Sequence, residues 1–63
     1  MIKEYAKVVI KETGITGIVV DIYTIKGKTF YTVESDERGV EGGFGMDGEY
    51  KLFDCDENEL EVI

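Results

Sequence analysis

The sequence predicts an all-β domain, a small twisted barrel of five short strands. Three observations lead there. Residues Thr16 to Glu34 hold two runs rich in β-branched and aromatic residues on either side of Lys26-Gly27, the sequence form of a tight hairpin. Apolar residues elsewhere alternate with polar ones at the strand period of two, as in Ala6, Val8 and Ile10. The one helical-looking cluster, Asp56-Glu57-Asn58-Glu59, is long enough for a single turn. Together they give five strands, a long glycine-rich loop and one 3-10 turn before the last strand.

The first strand is expected over Tyr5 to Glu12, with Ala6, Val8 and Ile10 facing the core. Thr13-Gly14-Ile15-Thr16 connects it to the second, and Gly17 suits a bulge or a tight bend. The second strand, Ile18 to Ile25, has two possible phases. Keeping Asp21 in water turns Ile18, Val20, Ile22 and Thr24 inward, and a bulge near Gly17 would bring Val19 inward instead. In the third strand, Lys28 to Glu34, Tyr31 and Val33 are assigned to the core, leaving Phe30 on the face shared with Tyr23. The fourth, Glu49 to Cys55, turns Phe53 and Cys55 inward and Tyr50, Leu52 and Asp54 outward. Asp56 is placed to cap the following turn. A closing strand, Leu60 to Ile63, directs Leu60 and Val62 inward and Glu61 outward.

Size and charge narrow the function. A chain of 63 residues has room for one domain with one small core. Cys55 is the only cysteine and there is no histidine, so neither an internal disulfide nor a zinc site is expected. A lone thiol, the absence of a signal-like apolar segment near Met1 and the absence of a long apolar run point to the cytoplasm. The formal charge is −7 and uneven: residues 1–33 sum to +2, while residues 34–63 set eleven acids against Arg38 and Lys51. Such a surface repels phosphate backbones and anionic membranes and suits a basic protein partner.

Several constellations invite a chemical reading that their details do not support. Residues 35–48 hold five of the eight glycines, yet no Gly-Lys-Ser/Thr ending or helix follows, and Asp36, Glu37, Glu41 and Asp47 would repel phosphate. Asp54, Asp56 and Asn58 echo the first oxygen positions of an EF-hand loop, but the sixth position is Glu59 where glycine is needed. No cofactor or metal is expected. Cys55 lacks a base and stands among acids, so it reads as a buried structural thiol. The many carboxylates have too little chain around them to form the deep cleft that hydrolysis needs, so the protein is not expected to be an enzyme.

The candidate binding surface is aromatic and acidic. Tyr23, Phe30 and Tyr50 are expected outside the core with Phe44 on the nearby loop, rimmed by Asp36, Glu37, Glu41 and Asp47. The competing reading is that these rings cover the second face of the barrel or pack against the loop.

The order of elements resembles the Src-homology-3-like (SH3-like) barrel, as found in small bacterial proteins. Gly17-Ile-Val-Val-Asp-Ile-Tyr23 is similar to the hairpin opening of KOW-type domains. Lys26-Gly27, Val33 to Glu37 and Phe53-Asp54-Cys55 are similar to the CAP-Gly domain, although Gly39-Val40-Glu41-Gly42-Gly43 lacks that family's lysine and Asn-Asp pair. The function expected is a small protein-binding module, adaptor or inhibitory, for a basic partner. The alternatives are a KOW-type nucleic-acid- or ribosome-associated domain and a homo-oligomer that buries Tyr23, Ile25 and Phe30 between copies.

Overall fold

The computed structural model describes residues 1–63 as five strands and one 3-10 turn: β1 (Lys7–Ile10), β2 (Thr16–Ile25), β3 (Lys28–Ser35), β4 (Leu52–Asp56), the turn Glu57–Glu59, and β5 (Leu60–Val62). All pair antiparallel in one sheet of order β4-β3-β2-β1-β5. The all-β expectation holds. No ladder joins β4 to β5, so the closure expected from the sequence is not made, and the sheet is open along that seam. The sheet nevertheless curls around a single core. Val8, Ile10, Val19, Tyr31, Val33, Cys55 and Leu60 are buried together, drawn from all five strands.

The hairpin forms because Lys26 and Gly27 both take positive φ, 51° and 80°, as a two-residue turn between right-twisted strands requires. Ile25 and Lys28 then lie opposite one another and fix the register of the longest ladder. The assigned core faces of β1, β3 and β4 are the observed ones: Val8, Ile10, Tyr31, Val33 and Cys55 are buried, and Phe53 packs against them partly covered. The turn is capped as expected. Asp56 accepts a hydrogen bond from the Asn58 N–H (2.8 Å), and Glu59 reaches back to accept from the Asp56 N–H (2.9 Å), completing a capping box.

The structure selects the bulged one of the two phases of the second strand, with Val19 inward, and corrects the reading of the last strand. The β2–β3 register shifts between Val19 and Asp21, which makes Val20 the extra residue of a bulge. Before the bulge Gly17 and Val19 face inward, and after it Ile22 lies opposite the buried Tyr31. Val19 is therefore fully buried and Ile18 exposed, the reverse of the first of the two phases. Gly17 lets β3 come close, since a Cβ there would collide with the Glu34 carbonyl oxygen and lie 2.8 Å from Val33 Cγ1. At the other end Leu60 is buried, but Val62 is 56 % exposed, because it sits on the open edge with no strand beyond it. The strands are also shorter than expected: β1 begins at Lys7 and β4 at Leu52.

Two features had no sequence signal. Ile2 is buried in the core although it precedes the first strand. It is carried by an irregular arm in which Tyr5 takes φ 68° and donates its N–H to the Val19 carbonyl (2.7 Å). Lys51 and Ser35 are buried as well. The Ser35 hydroxyl accepts from the Lys51 N–H (3.0 Å) and donates to the Glu37 carbonyl (2.8 Å), so the cost of burying it is offset. Those bonds, with the paired Phe44–Leu52 bridge and the Gly39 N–H to the Glu49 carbonyl (3.1 Å), staple the glycine-rich loop to the end of the sheet.

Candidate functional site

Tyr23 and Phe30 are directly opposite residues of the β2–β3 ladder. Their rings stack on the outer face of the sheet with centroids 5.6 Å apart and planes 25° from parallel. Both remain partly exposed. Lys28 lies 5.7 Å from the Phe30 ring and 3.4 Å from the Asp56 carboxylate, so one cation ties the ring pair to β4. Asp54, opposite Thr32, accepts its hydroxyl hydrogen bond (2.9 Å). The Tyr23 hydroxyl is pushed above its ordinary pKa by desolvation first, then by the charge of Asp54 and, to a lesser degree, of Asp21. An aromatic pair thus stands among the carboxylates of Asp21, Asp54 and Asp56.

The remaining candidate residues gather elsewhere. Phe30 and Ser35 are five positions apart on β3, a span of about 16 Å at strand rise. The loop leaves at Ser35 and returns at Lys51, whose carbonyl accepts from the Ser35 N–H, so Tyr50 and the loop acids belong to that far end. The expected single surface is accordingly two patches. Tyr50 stacks under Arg38, whose guanidinium carbon is 5.2 Å from the ring centroid and which also approaches Glu49 (3.9 Å). Phe44 is 64 % exposed beside Leu52. Asp36 is engaged internally, accepting from the Thr16 hydroxyl (2.9 Å) and pairing with Lys7 (3.4 Å). Asp47 pairs with Lys51 (3.9 Å). Glu37 and Glu41 are exposed.

A third feature was not anticipated. Along the seam between β4 and the β1–β5 side lies a cleft of about 320 Å³, lined by Ile10, Phe44, Phe53 and Cys55 with Glu12, Asp54 and Glu59 among its polar lining. Nothing in the periodicity announces it, since it exists only because the sheet fails to close. Cys55, on its floor, is a free thiol 4 % exposed. Its pKa is pushed up to about 11 by burial, then by Glu59, Asp54 and Asp56. The geometry thus provides apolar anchors and carboxylate charge without an activated nucleophile at Cys55. No group of three or more histidine, cysteine, aspartate or glutamate side chains is placed to hold a metal ion. No helix is long and apolar enough to cross a membrane.

Comparison of the chain with protein-family models, with curated proteins and with solved structures finds no match.

Proposed function

We propose that this chain is a small protein-binding module, adaptor or inhibitory in kind, whose partner presents a basic surface. The observation that carries the reading is the stacked, partly exposed Tyr23–Phe30 pair standing among Asp21, Asp54 and Asp56. Rigid rings lose little entropy on binding and give anchor area, while the surrounding carboxylates steer a cationic partner and reject nucleic acid. The formal charge of −7 favours the same partner class. The reading is of a cytoplasmic binding protein without catalysis or cofactor. It takes the fold as an SH3-like barrel open along one seam, a reading supported by the strand order and by the single 3-10 turn before the last strand.

The test is a crosslinked pull-down from the native cell with wild-type protein and with Phe30→Ala, partners identified by mass spectrometry. A basic protein captured by wild type, released by salt and lost with Phe30→Ala is the expected result. Capture unaffected by Phe30→Ala, or recovery of RNA in place of protein, would refute the reading.

A further inference from the structure

The β4 edge of the sheet leaves one position open. In an antiparallel ladder, backbone groups point alternately toward and away from the neighbouring strand. Ser35 donates to the Lys51 carbonyl, so residues 51, 53 and 55 turn their N–H and C=O groups toward β3. Residues 52, 54 and 56 turn theirs to the open edge. Leu52 there exchanges two hydrogen bonds with Phe44 (2.7 and 2.8 Å), and the Asp56 N–H is taken by Glu59. Asp54, between them, has its backbone groups directed outward at an edge that no strand covers. Phe44 is thus a one-residue start of a sixth strand that goes no further.

We infer that the β4 edge, beginning beside Phe44 and running past Asp54, accepts an extended segment of a partner protein in which basic and apolar residues alternate. The inference rests on the protein-binding reading and specifies its mode. Alternate side chains of an added strand point to opposite faces of the sheet. Those turned inward enter the cleft against Phe53, Cys55 and Ile10, which suits apolar groups. Those turned outward meet Asp54 and Asp56, on the side of the sheet that carries the Tyr23–Phe30 pair, which suits lysine or arginine. The carboxylates of Glu12 and Glu59 at the cleft extend the same charge preference. A second copy of this chain fits poorly, because it brings another charge of −7. Lysines and prolines often blunt such edges. Here the chain has no proline, and β4 carries no lysine or arginine.

The experiment uses a pool of eight-residue peptides in which lysine or arginine alternates with valine or isoleucine, and a second pool of the same composition in blocks. Both are titrated into nitrogen-15-labelled protein and followed by amide chemical shift and amide hydrogen exchange. The expected result is tighter binding of the alternating pool, with slowed exchange of the Asp54 amide. Methylating alternate backbone nitrogens of the peptide, which leaves every side chain in place, should weaken binding about tenfold or more. Asp54→Pro removes the outward donor at an edge position where proline is tolerated. It should weaken binding well beyond Asp54→Asn, which keeps the donor. Equal binding of methylated and unmethylated peptide, or shifts confined to Tyr23 and Phe30, would overturn strand addition while leaving the protein-binding reading intact. No binding of either pool would likewise overturn strand addition, while the protein-binding reading stands or falls on the pull-down with Phe30→Ala.

Discussion

The bulge at Val20 gives a sharp test, because it predicts opposite fates for two adjacent valines. Val19 has no solvent exposure, whereas Val20 is partly exposed on the bulge. Valine to threonine keeps shape and β-branching and replaces one methyl by a hydroxyl. At position 19 this removes about 0.8 kcal/mol of apolar transfer and leaves a hydroxyl among Val8, Val33 and Tyr31 at a cost of about 1–3 kcal/mol. Val19→Thr should therefore lose about 2–4 kcal/mol, a large part of the roughly 3–9 kcal/mol expected for a domain of this length. Val20→Thr should lose under about 0.5 kcal/mol, since water reaches the new hydroxyl. Urea unfolding followed by circular dichroism reads both. With a slope of about 1 kcal/mol per molar for a small domain, the Val19→Thr midpoint should fall by about 2 M or more and the Val20→Thr midpoint should scarcely move. A Val20→Thr loss equal to or larger than the Val19→Thr loss would place the bulge elsewhere and return the strand to its regular phase.

Other outcomes follow from single contacts. Gly17→Ala should destabilise by more than about 2 kcal/mol in the same urea assay, because the added Cβ meets the Glu34 carbonyl and the buried Val33. Lys26→Asn should stabilise by about 0.5–1 kcal/mol, since asparagine tolerates the positive φ that lysine is forced to take in the hairpin turn. Cys55 should resist a soluble thiol reagent in the folded protein at pH 8 and react fast once unfolded, because its pKa is pushed up to about 11. The folded state holds the thiol proton more tightly than the unfolded chain. This contribution is therefore fully present below the ordinary thiol pKa of about 8.5 and is lost as the pH rises toward the folded value, which a pH series of unfolding midpoints will show.

The elements that the sequence disclosed are those where local chemistry and packing agree. Lys26-Gly27 is flanked by strand formers on both sides, and Tyr31, Val33 and Cys55 alternate with residues that prefer water. Asp56 caps a turn it immediately precedes. What stayed hidden depends on partners far along the chain. The sequence allowed a bulge near Gly17 as one of two phases but could not choose it or place it at Val20, because the extra residue exists only relative to β3. Ile2 has no periodic neighbours and is buried by the arm's path. Val62 has strand character, but the layer that would cover it is missing at the edge. Of the candidate surface, the pairing of Tyr23 with Phe30 follows from the hairpin register. Its separation from Phe44, Tyr50, Glu37 and Glu41 depends on the loop leaving from the opposite end of β3. The seam cleft could not be read at all, being a property of a ladder that is absent.

The β1–β5 ladder has a consequence for the order in which the molecule assembles. The β1–β2 and β2–β3 connections are short, whereas Val8 must find Val62, almost the whole chain away. Closing that loop is nearly four doublings longer than closing a hairpin and costs about 2 kcal/mol more in chain entropy. The short-range β2–β3 hairpin is thus expected early, and the docking of β5 on β1 late. While β5 is away, β1 is a bare edge with Val8 and Ile10 behind it, the state in which a growing chain is most prone to stick to its neighbours. Lys7 and Lys11 stand at the two ends of that edge, turning toward the β5 side the backbone groups that Ile63 and Glu59 will later bind. Their charge keeps the waiting edge apart from other chains until the last strand covers it.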